Sequence, residues 1–299
     1  MTDHVTTHQA EEDTRNEDLR LWLNGRILPR AEALVSVYDS GFMLGDGVWE
    51  GIRLYNGRWA FLDEHLDRLF EAAKAIDLDI GMDRAQLAQA IHDTQAANGM
   101  QTDAHARLMV TRGVKSRPFQ HPSLSRQGPT VAIIMEHSRP KLPRPIRLAT
   151  VPHIRGLPMS QDPKLNSHSK LNCILACIAA EKAGADEALM LDVHGFVNTT
   201  NACNFFIVRK GEVWTSTGDY CMNGITRGKV IDLCRLNGIP VFQKNFSLVD
   251  VYSADEAFLT GTFGAQTPVG IVDGRVIGTG QMGPMTEHLR TLYKALVAA

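Results

Sequence analysis

In the stretch DPKLNSHSKLN, residues 162–172, two lysines, Lys164 and Lys170, stand on either side of Asn166. A lysine amine can condense with a carbonyl group and then carry a proton as a base, so this segment is a candidate for covalent chemistry. A second set of residues has the marks of anion binding. In NGITRGKVIDLC, Gly224 and Thr226 stand at the start of an amphipathic helical pattern, where unpaired backbone N–H groups and the macrodipole favour a phosphate. In TGTFGAQTP, residues 260–268, small and hydroxyl residues follow an apolar strand and let backbone approach an anion closely. Arg68, in DEHLDRL, lies on a helical pattern whose Leu62, Leu66, Leu69 and Phe70 face inwards. An inward-leaning guanidinium there could clamp a phosphate with two N–H groups, while a salt bridge with Glu64 or Glu71 is its plainer use. The lone histidines His121, His153 and His194 read as loop or surface residues, and His168 is noted as an acid or base because it lies between the lysines.

The elements that must position these residues are legible in outline. Asn24-Gly25 and Asn56-Gly57 are hairpin turns between apolar strands. Helices are expected at 63–77, with Asp63 as N-cap, and at 83–98, followed by strands at 105–112 and 131–137. SRPKLPRP, residues 138–145, is punctuated by proline and marks a boundary. Beyond it, IRLATVP, ADEALMLD, GFVN, NFFIVRKGEVWT and ADEAFLTGT read as strands, LNCILACIAAEKAGA as a helix ending near Gly184, and GITRGKVIDLCRLNG as a helix entered through Gly224. The expected class is α+β in two domains: a polar mobile arm over 1–18, a small domain over 19–137, a linker over 138–145 and a larger domain over 146–299.

Composition narrows the partners. A formal charge of −2 and a pI near 6.6 argue against a polyanion binder, and Arg139, Lys141, Arg144 and Arg147 read as a solvated linker. No apolar run approaches a membrane span, and no secretory signal opens the chain, so a cytoplasmic location is expected. The five cysteines form no CxxC pair and read as reduced thiols. Cys173 and Cys177, one helical turn apart, read as core rather than metal ligands, and no metal is expected.

The order of GDGVWEGIRLYNG, DEHLDRL, VTRG, ADEALMLD with GFV, NGITR and ADEAFLTGT…TPV, over about residues 20–297, resembles the fold-type IV pyridoxal-phosphate enzymes. These include branched-chain and D-amino-acid aminotransferases, (R)-amine transaminases and aminodeoxychorismate lyase. The resemblance implies a small N-terminal domain, a larger cofactor-binding domain, pyridoxal 5′-phosphate (PLP) as cofactor and a homodimer. It makes Arg68 the side-chain clamp of the phosphate, with backbone N–H groups from Ile225 and Thr226 and a cup completed by Thr262 and Phe263. Met222 matches an apolar residue on the cofactor ring, Trp49 an aromatic at the substrate mouth, and Arg117 the arginine that traps a substrate carboxylate in the D-amino-acid enzymes. Phe119 stands where those enzymes have a histidine, so their pocket is not carried over.

Two positions depart from the family pattern. Aligned back from Asn172, D-P-K-I-K-S-L-N lies over DPKLNSHS and puts the lysine that forms the Schiff base on Asn166, which has no amine. Lys170 is nominated instead, on the argument that a helix already begun there would place its amine near position 166, with Lys164 as the alternative. In NTTNACN, the glutamate that keeps the pyridine nitrogen protonated is replaced by Thr199, with Asn201 as a second polar contact. The expected function is an aminotransferase moving an amino group between an amino acid or (R)-amine and a 2-oxo acid. A lyase using the same cofactor is the alternative that Thr199 raises, and a vitamer-binding protein without catalysis is the one that Asn166 raises.

Overall fold

Turns that only a left-handed backbone can close set up the first sheet. Asn24 and Gly25 (φ 47° and 86°) join strands β1 (Arg20–Leu23) and β2 (Arg26–Pro29), and Asn56 and Gly57 (φ 47° and 80°) join β3 (Gly47–Tyr55) and β4 (Arg58–Trp59). With β5 (Ala104–Thr111) and β6 (Thr130–His137) they form an antiparallel sheet ordered β2-β1-β6-β5-β3-β4. Three helices accompany it: α1 (Ser40–Leu44), α2 (Leu62–Ala75) and α3 (Arg84–Ala97). Asp83 and Gln86 cap α3 reciprocally. Helix α2 instead starts from Phe61 in a left-handed conformation, so Asp63 is not its cap but lies in its first turn, where the dipole favours a carboxylate. Val48, Ile52, Leu66, Leu69, Leu87, Ile91 and Leu108 make the core of this unit.

The computed structural model describes residues 5–141 and 144–298. Its two compact units are Ala10–Arg139 with Leu165–Lys170, and Met1–Gln9 with Pro140–Lys164 and Leu171–Ala299. The division after Arg139 falls inside the expected linker, of which Leu142 and Pro143 lie outside the described residues, as do residues 1–4 of the expected arm.

In the larger unit, strands β7 (Ile146–Thr150), β8 (Glu187–Leu191), β9 (Val197–Thr200), β10 (Asn204–Arg209), β11 (Glu212–Thr215), β12 (Val241–Gln243), β13 (Glu256–Gly261), β14 (Ala265–Val272) and β15 (Arg275–Val276) make one sheet. Its order is β12-β11-β10-β13-β14-β7-β8-β9, and a further pairing of β9 with β10 at Thr199 and Asn204 closes six of the strands into a ring. One face packs Leu148, Leu189, Phe205, Ile207, Leu259 and Val269. The other carries α5 (Leu171–Lys182) on Ala149, Ala188 and Met190, and packs Phe206 and Phe258 against α6 (Ile225–Leu236) and α8 (Pro284–Ala298). Short helices α4 (Pro158–Gln161) and α7 (Leu248–Tyr252) complete it.

Three expectations are corrected. The described part of the N-terminal arm is held: Val5 and Thr7 are buried, and Thr7 donates to Glu187 Oε1 through its backbone N–H (2.9 Å) and hydroxyl (2.5 Å). Hydrogen bonds to a buried carboxylate hold it, so no apolar period announces it. Cys177 is exposed and Cys173 only part buried, because the side of α5 that packs inwards is the one carrying Ala176 and Ala180. Arg144 and Arg147 are not a solvated run but grip Asp186.

Asp186 accepts from Arg144 Nη1 and Nη2 (2.6 and 2.8 Å), Arg147 Nη2 (3.1 Å) and the backbone N–H groups of Arg147 and Val5. Burial alone would raise its carboxyl, but the two guanidinium groups outweigh that and hold it well below the usual range. A depressed carboxyl stabilises the fold above its unfolded value, near 3.9, and that contribution is lost as pH falls through the lower folded value. Asp186→Asn is therefore expected to cost about 2 kcal/mol at pH 7, with a deficit against wild type that narrows below about pH 4, as read by urea unfolding.

Candidate functional site

Asn204 organises the candidate site in the larger unit. It faces Thr199 across β9 and Thr260 across β13, and Thr260 faces Gln266 across β14, so the four side chains form one row on the face that carries α5 and α6. The row extends to Met190, which faces Thr199, while the next pair is Leu191 with Val197. Asn198 is thus an extra residue, and this bulge lets Val197 point into the core while Thr199 points to the site face. Asn204 Nδ2 donates to Met222 O (2.9 Å), and a Cβ on Gly224 would run into Asn204 Oδ1. Asn204 thereby ties Thr199, Thr260, Met222 and the start of α6 together. It was not singled out from sequence, although it ends the quoted NTTNACN.

At that helix start Gly224 offers no side-chain cap and the first turn holds no acidic residue, so the N–H groups of Ile225 and Thr226 face an anion-favouring field. The turn from β13 to β14 holds Thr262 and buried Phe263, whose ring lies 5.9 Å from that of His8. A Cβ on Gly264 would come within 2.7 Å of Thr267 Oγ1, so the turn closes only over glycine. Among the described residues, buried Thr260 Oγ1 and both polar atoms of buried Gln266 have no hydrogen-bond partner. Thr199 is buried and donates its hydroxyl proton to Cys203 O (2.7 Å), which leaves its oxygen as an acceptor. Asn201 gives both ends of its amide to β8: Nδ2 to Glu187 Oε2 (2.9 Å) and Oδ1 to the N–H of Ala188 (2.8 Å).

In the smaller unit the carboxylate that orients Arg68 is that of Glu50. Arg68 Nε and Nη2 lie side-on to it, at 2.8 Å from Oε1 and 2.7 Å from Oε2, and His65 Nδ1 meets Oε2 at 2.6 Å. Glu50 and His65 are buried, the first on β3 and the second three residues before Arg68 on α2. Burial would raise the Glu50 carboxyl, yet Arg68 and then His65 hold it below its ordinary value. The guanidinium plane is thus held side-on by a carboxylate from a strand.

The segment from Leu165 to Lys170 also belongs to this unit. Trp49 N–H donates to Asn166 O (3.0 Å), Asn166 Nδ2 returns a bond to Trp49 O (2.7 Å), and Ser167 bridges to Val48. The segment is extended along the edge of β3, and α5 begins only at Leu171, so the expected helical relation between Asn166 and Lys170 does not exist. Strand pairing with Trp49 takes up the backbone that a helix would have used. Lys170 Nζ nevertheless lies 5.6 Å from the centre of the Trp49 ring, and the indole N–H donates to Ser167 O. Lys164 is exposed and Lys170 half-buried. Arg117 is exposed on its loop.

Sequence reasoning missed Arg107. Its guanidinium stacks 3.8 Å above the Trp49 ring, has no carboxylate partner among the described residues, and is lowered from its ordinary range by burial alone. Cross-strand pairing of Trp49 with Met109 brings it there, a register that no local pattern announces. His168 meets Val48 O through Nε2 (3.0 Å), and burial, with Arg107 and Lys170 nearby, keeps it below its ordinary value. It is therefore neutral at pH 7, and its Nε2–H is the donor. Trp49 thus gathers an arginine and a lysine, with His168 bonded to the neighbouring Val48 carbonyl, a setting that attracts an anion.

A family model described as amino-transferase class IV matches residues 47–272. "Branched-chain-amino-acid aminotransferase-like protein 2" of Arabidopsis thaliana is 41% identical over 94% of this chain and 51% of its own length. The chain spans about half the length of that relative. A putative branched-chain-amino-acid aminotransferase of Methanocaldococcus jannaschii is 39% identical over 92% of this chain and 96% of its own. Among solved structures, the branched-chain aminotransferase of Thermoproteus uzoniensis with norvaline superposes with a TM-score of 0.85 at 33% identity, covering 94% of this chain and 95% of its own. The branched-chain amino acid aminotransferase of Thermobaculum terrenum in its PLP form superposes with a TM-score of 0.83 at 27% identity, covering 94% of each chain.

Proposed function

From the fact that the chain belongs to the class IV aminotransferases, of the two-domain fold-type IV kind, we propose that it is a PLP-dependent transaminase acting between an amino acid and a 2-oxo acid. The observation that carries the proposal is the uncapped start of α6 beside the polar row, with Thr260 and Gln266 buried and unpartnered, which suits a phosphorylated polar ring. Ile225, Thr226, Thr262 and Phe263 would hold the phosphate, Met222 the ring face and Thr199 the ring nitrogen. The family pattern assigns Arg68 to the same phosphate, Lys170 as the reactive amine with Lys164 as alternative, and Trp49 and Arg117 to substrate. When bound, the cofactor supplies an aldehyde and an electron-withdrawing ring.

Lys170 is the residue proposed to carry the cofactor and move the proton at the substrate Cα. Its ammonium lies over the Trp49 ring, on which the Arg107 guanidinium also stacks. Arg107 is a second candidate for the substrate carboxylate, nearer Trp49 than exposed Arg117. Thr199 favours a lyase on residue type, but with its proton committed to Cys203 O it can only accept, which suits a protonated ring nitrogen and transamination. Asn201 supports the strand rather than the ring.

Exposed apolar residues support a homodimer: Leu34, Val37 and Phe42 in the smaller unit, Leu171 and Ile174 in the larger. No helix among the described residues is long and apolar enough to cross a membrane, and no group of three or more metal-binding side chains is assembled among them. The five free cysteines support a cytoplasmic setting.

The PLP-loaded protein is expected to convert a branched-chain amino acid and a 2-oxo acid to the exchanged pair, with D-alanine and (R)-amines as comparison donors in a chromatographic assay. Release of pyruvate and ammonia from serine, by loss of its β-hydroxyl with no 2-oxo acid present, would instead establish the lyase, and turnover of no donor would leave a vitamer-binding protein.

A further inference from the structure

Beneath the start of α6 lies a buried cation that the fold does not neutralise. Arg227, the third residue of α6, is 4% exposed. Nη1 donates to Asn223 Oδ1 (3.2 Å), and Nη2 donates to Ser216 O (2.7 Å) and Gln243 Oε1 (2.9 Å). Nε meets no acceptor, and among the described residues no carboxylate pairs with the guanidinium. A buried cation with only neutral partners is costly, because its attraction to water is replaced by dipoles alone. Its place on the helix adds to the cost, since the N-terminal turn already carries the positive end of the macrodipole.

Loop geometry shows that the arrangement is built. Gly218, at φ 90°, closes onto the fork: a Cβ there would overlap Asn223 Oδ1 and lie 3.4 Å from Arg227 Nη2. The fork thus reaches the loop at two points, Ser216 and Asn223, on either side of Met222's approach to the helix. Asn204 holds the same turn from the sheet side, through Met222 O.

We propose that Arg227 is a positioning residue that fixes the Met222–Gly224 turn and sets an uncompensated positive charge under the phosphate cup. The proposal rests on the reading of Ile225 and Thr226 as phosphate donors. The charge acts on the phosphate from within the protein rather than by contact: two negative charges arriving at the helix start find both the dipole and Arg227 unbalanced, and each favours them. A purely structural arginine would serve the loop equally well with a phosphate or without one.

The test compares dissociation constants of PLP and pyridoxal, titrated into the vitamer-free full chain by tryptophan fluorescence. Wild type is expected to prefer PLP. Arg227→Met is expected to reduce that preference at least tenfold, and Arg227→Lys, which keeps the charge, to stay within about threefold of wild type. If Arg227→Met weakens both vitamers equally, or neither, the charge has no role and the proposal is overturned while the cup stands. If Arg227→Met fails to fold, the lysine variant decides: a folded lysine protein that has lost its preference overturns the proposal. A wild type that binds the two vitamers equally overturns the cup reading, and the proposal with it.

Discussion

Borohydride reduction of the PLP-loaded protein is expected to leave the vitamer attached to Lys170, and Lys170→Ala to slow transamination by about 10²–10⁴-fold, the range for loss of an acid–base group. Asn166, where the family's lysine falls, has no amine, is 3% exposed, and has its Nδ2 bonded to the Trp49 carbonyl. Lys164 is exposed and packs with a different compact unit from Trp49, whereas Lys170 lies over the Trp49 ring. Lys164→Ala is therefore expected to stay within about threefold of wild type, because an exposed amine gains nothing from its surroundings. Peptide mapping after reduction reads the site directly. Label on Lys164, or on no residue, would reject Lys170. In the Lys170→Ala protein, Asn166→Lys is expected to restore part of the labelling, at the cost of the Asn166–Trp49 bond.

The second large effect is on stability. Glu50→Gln is expected to cost about 3–5 kcal/mol in urea unfolding at pH 7, because it removes the charge from a fully buried carboxylate that Arg68 and His65 both engage. The single substitution leaves a guanidinium, 16% exposed, without its counter-charge. Glu50→Leu with Arg68→Met removes both charges and is expected to cost less than the two single changes together, by about 2 kcal/mol or more. Additive costs would mean that the pair is not coupled. The carboxyl's folded value is lowered, so its contribution is complete above the unfolded value, near 4.3, and is lost as pH falls through the folded one. Wild type should therefore approach the stability of the variant in acid.

What could be read from the residues, and what could not, follows the range of the interaction. Asn24-Gly25 and Asn56-Gly57 announce their hairpins because the turn chemistry is contained in two residues. Asp83 with Gln86 announces α3 for the same reason. The start of α6 at Ile225 and the β13–β14 turn were legible because helix starts and tight turns are announced by local residues. By contrast, the Arg68–Glu50 pair joins a helix to a strand 18 residues away, and the Arg107–Trp49 stack depends on the β3–β5 register. The bulge that points Thr199 to the site face is visible only once β8 and β9 are paired. The helix read in LNCILACIAAEKAGA begins where α5 does, at Leu171, but the condition placed on Lys170, a helix already begun there, fails because pairing with Val48 and Trp49 claims the residues before it. Local pattern therefore marks turns and helix starts, while the side-chain pairings around them are products of long-range register.

The six residues from Leu165 to Lys170 belong to one compact unit while the chain on both sides of them belongs to the other. No excision at a single boundary can then yield two intact halves. A fragment ending at Arg139 would lack the partner that Trp49 and Val48 bond through Asn166 and Ser167, and would expose an open strand edge suited to intermolecular pairing. Supplied in trans, a peptide covering that segment would have to find the edge against concentration rather than by tether. Lys170 thus sits at the end of a short segment that the chain lends to the smaller unit between two stretches of the larger one, so a truncation at Arg139 removes it together with the bonds to Val48 and Trp49.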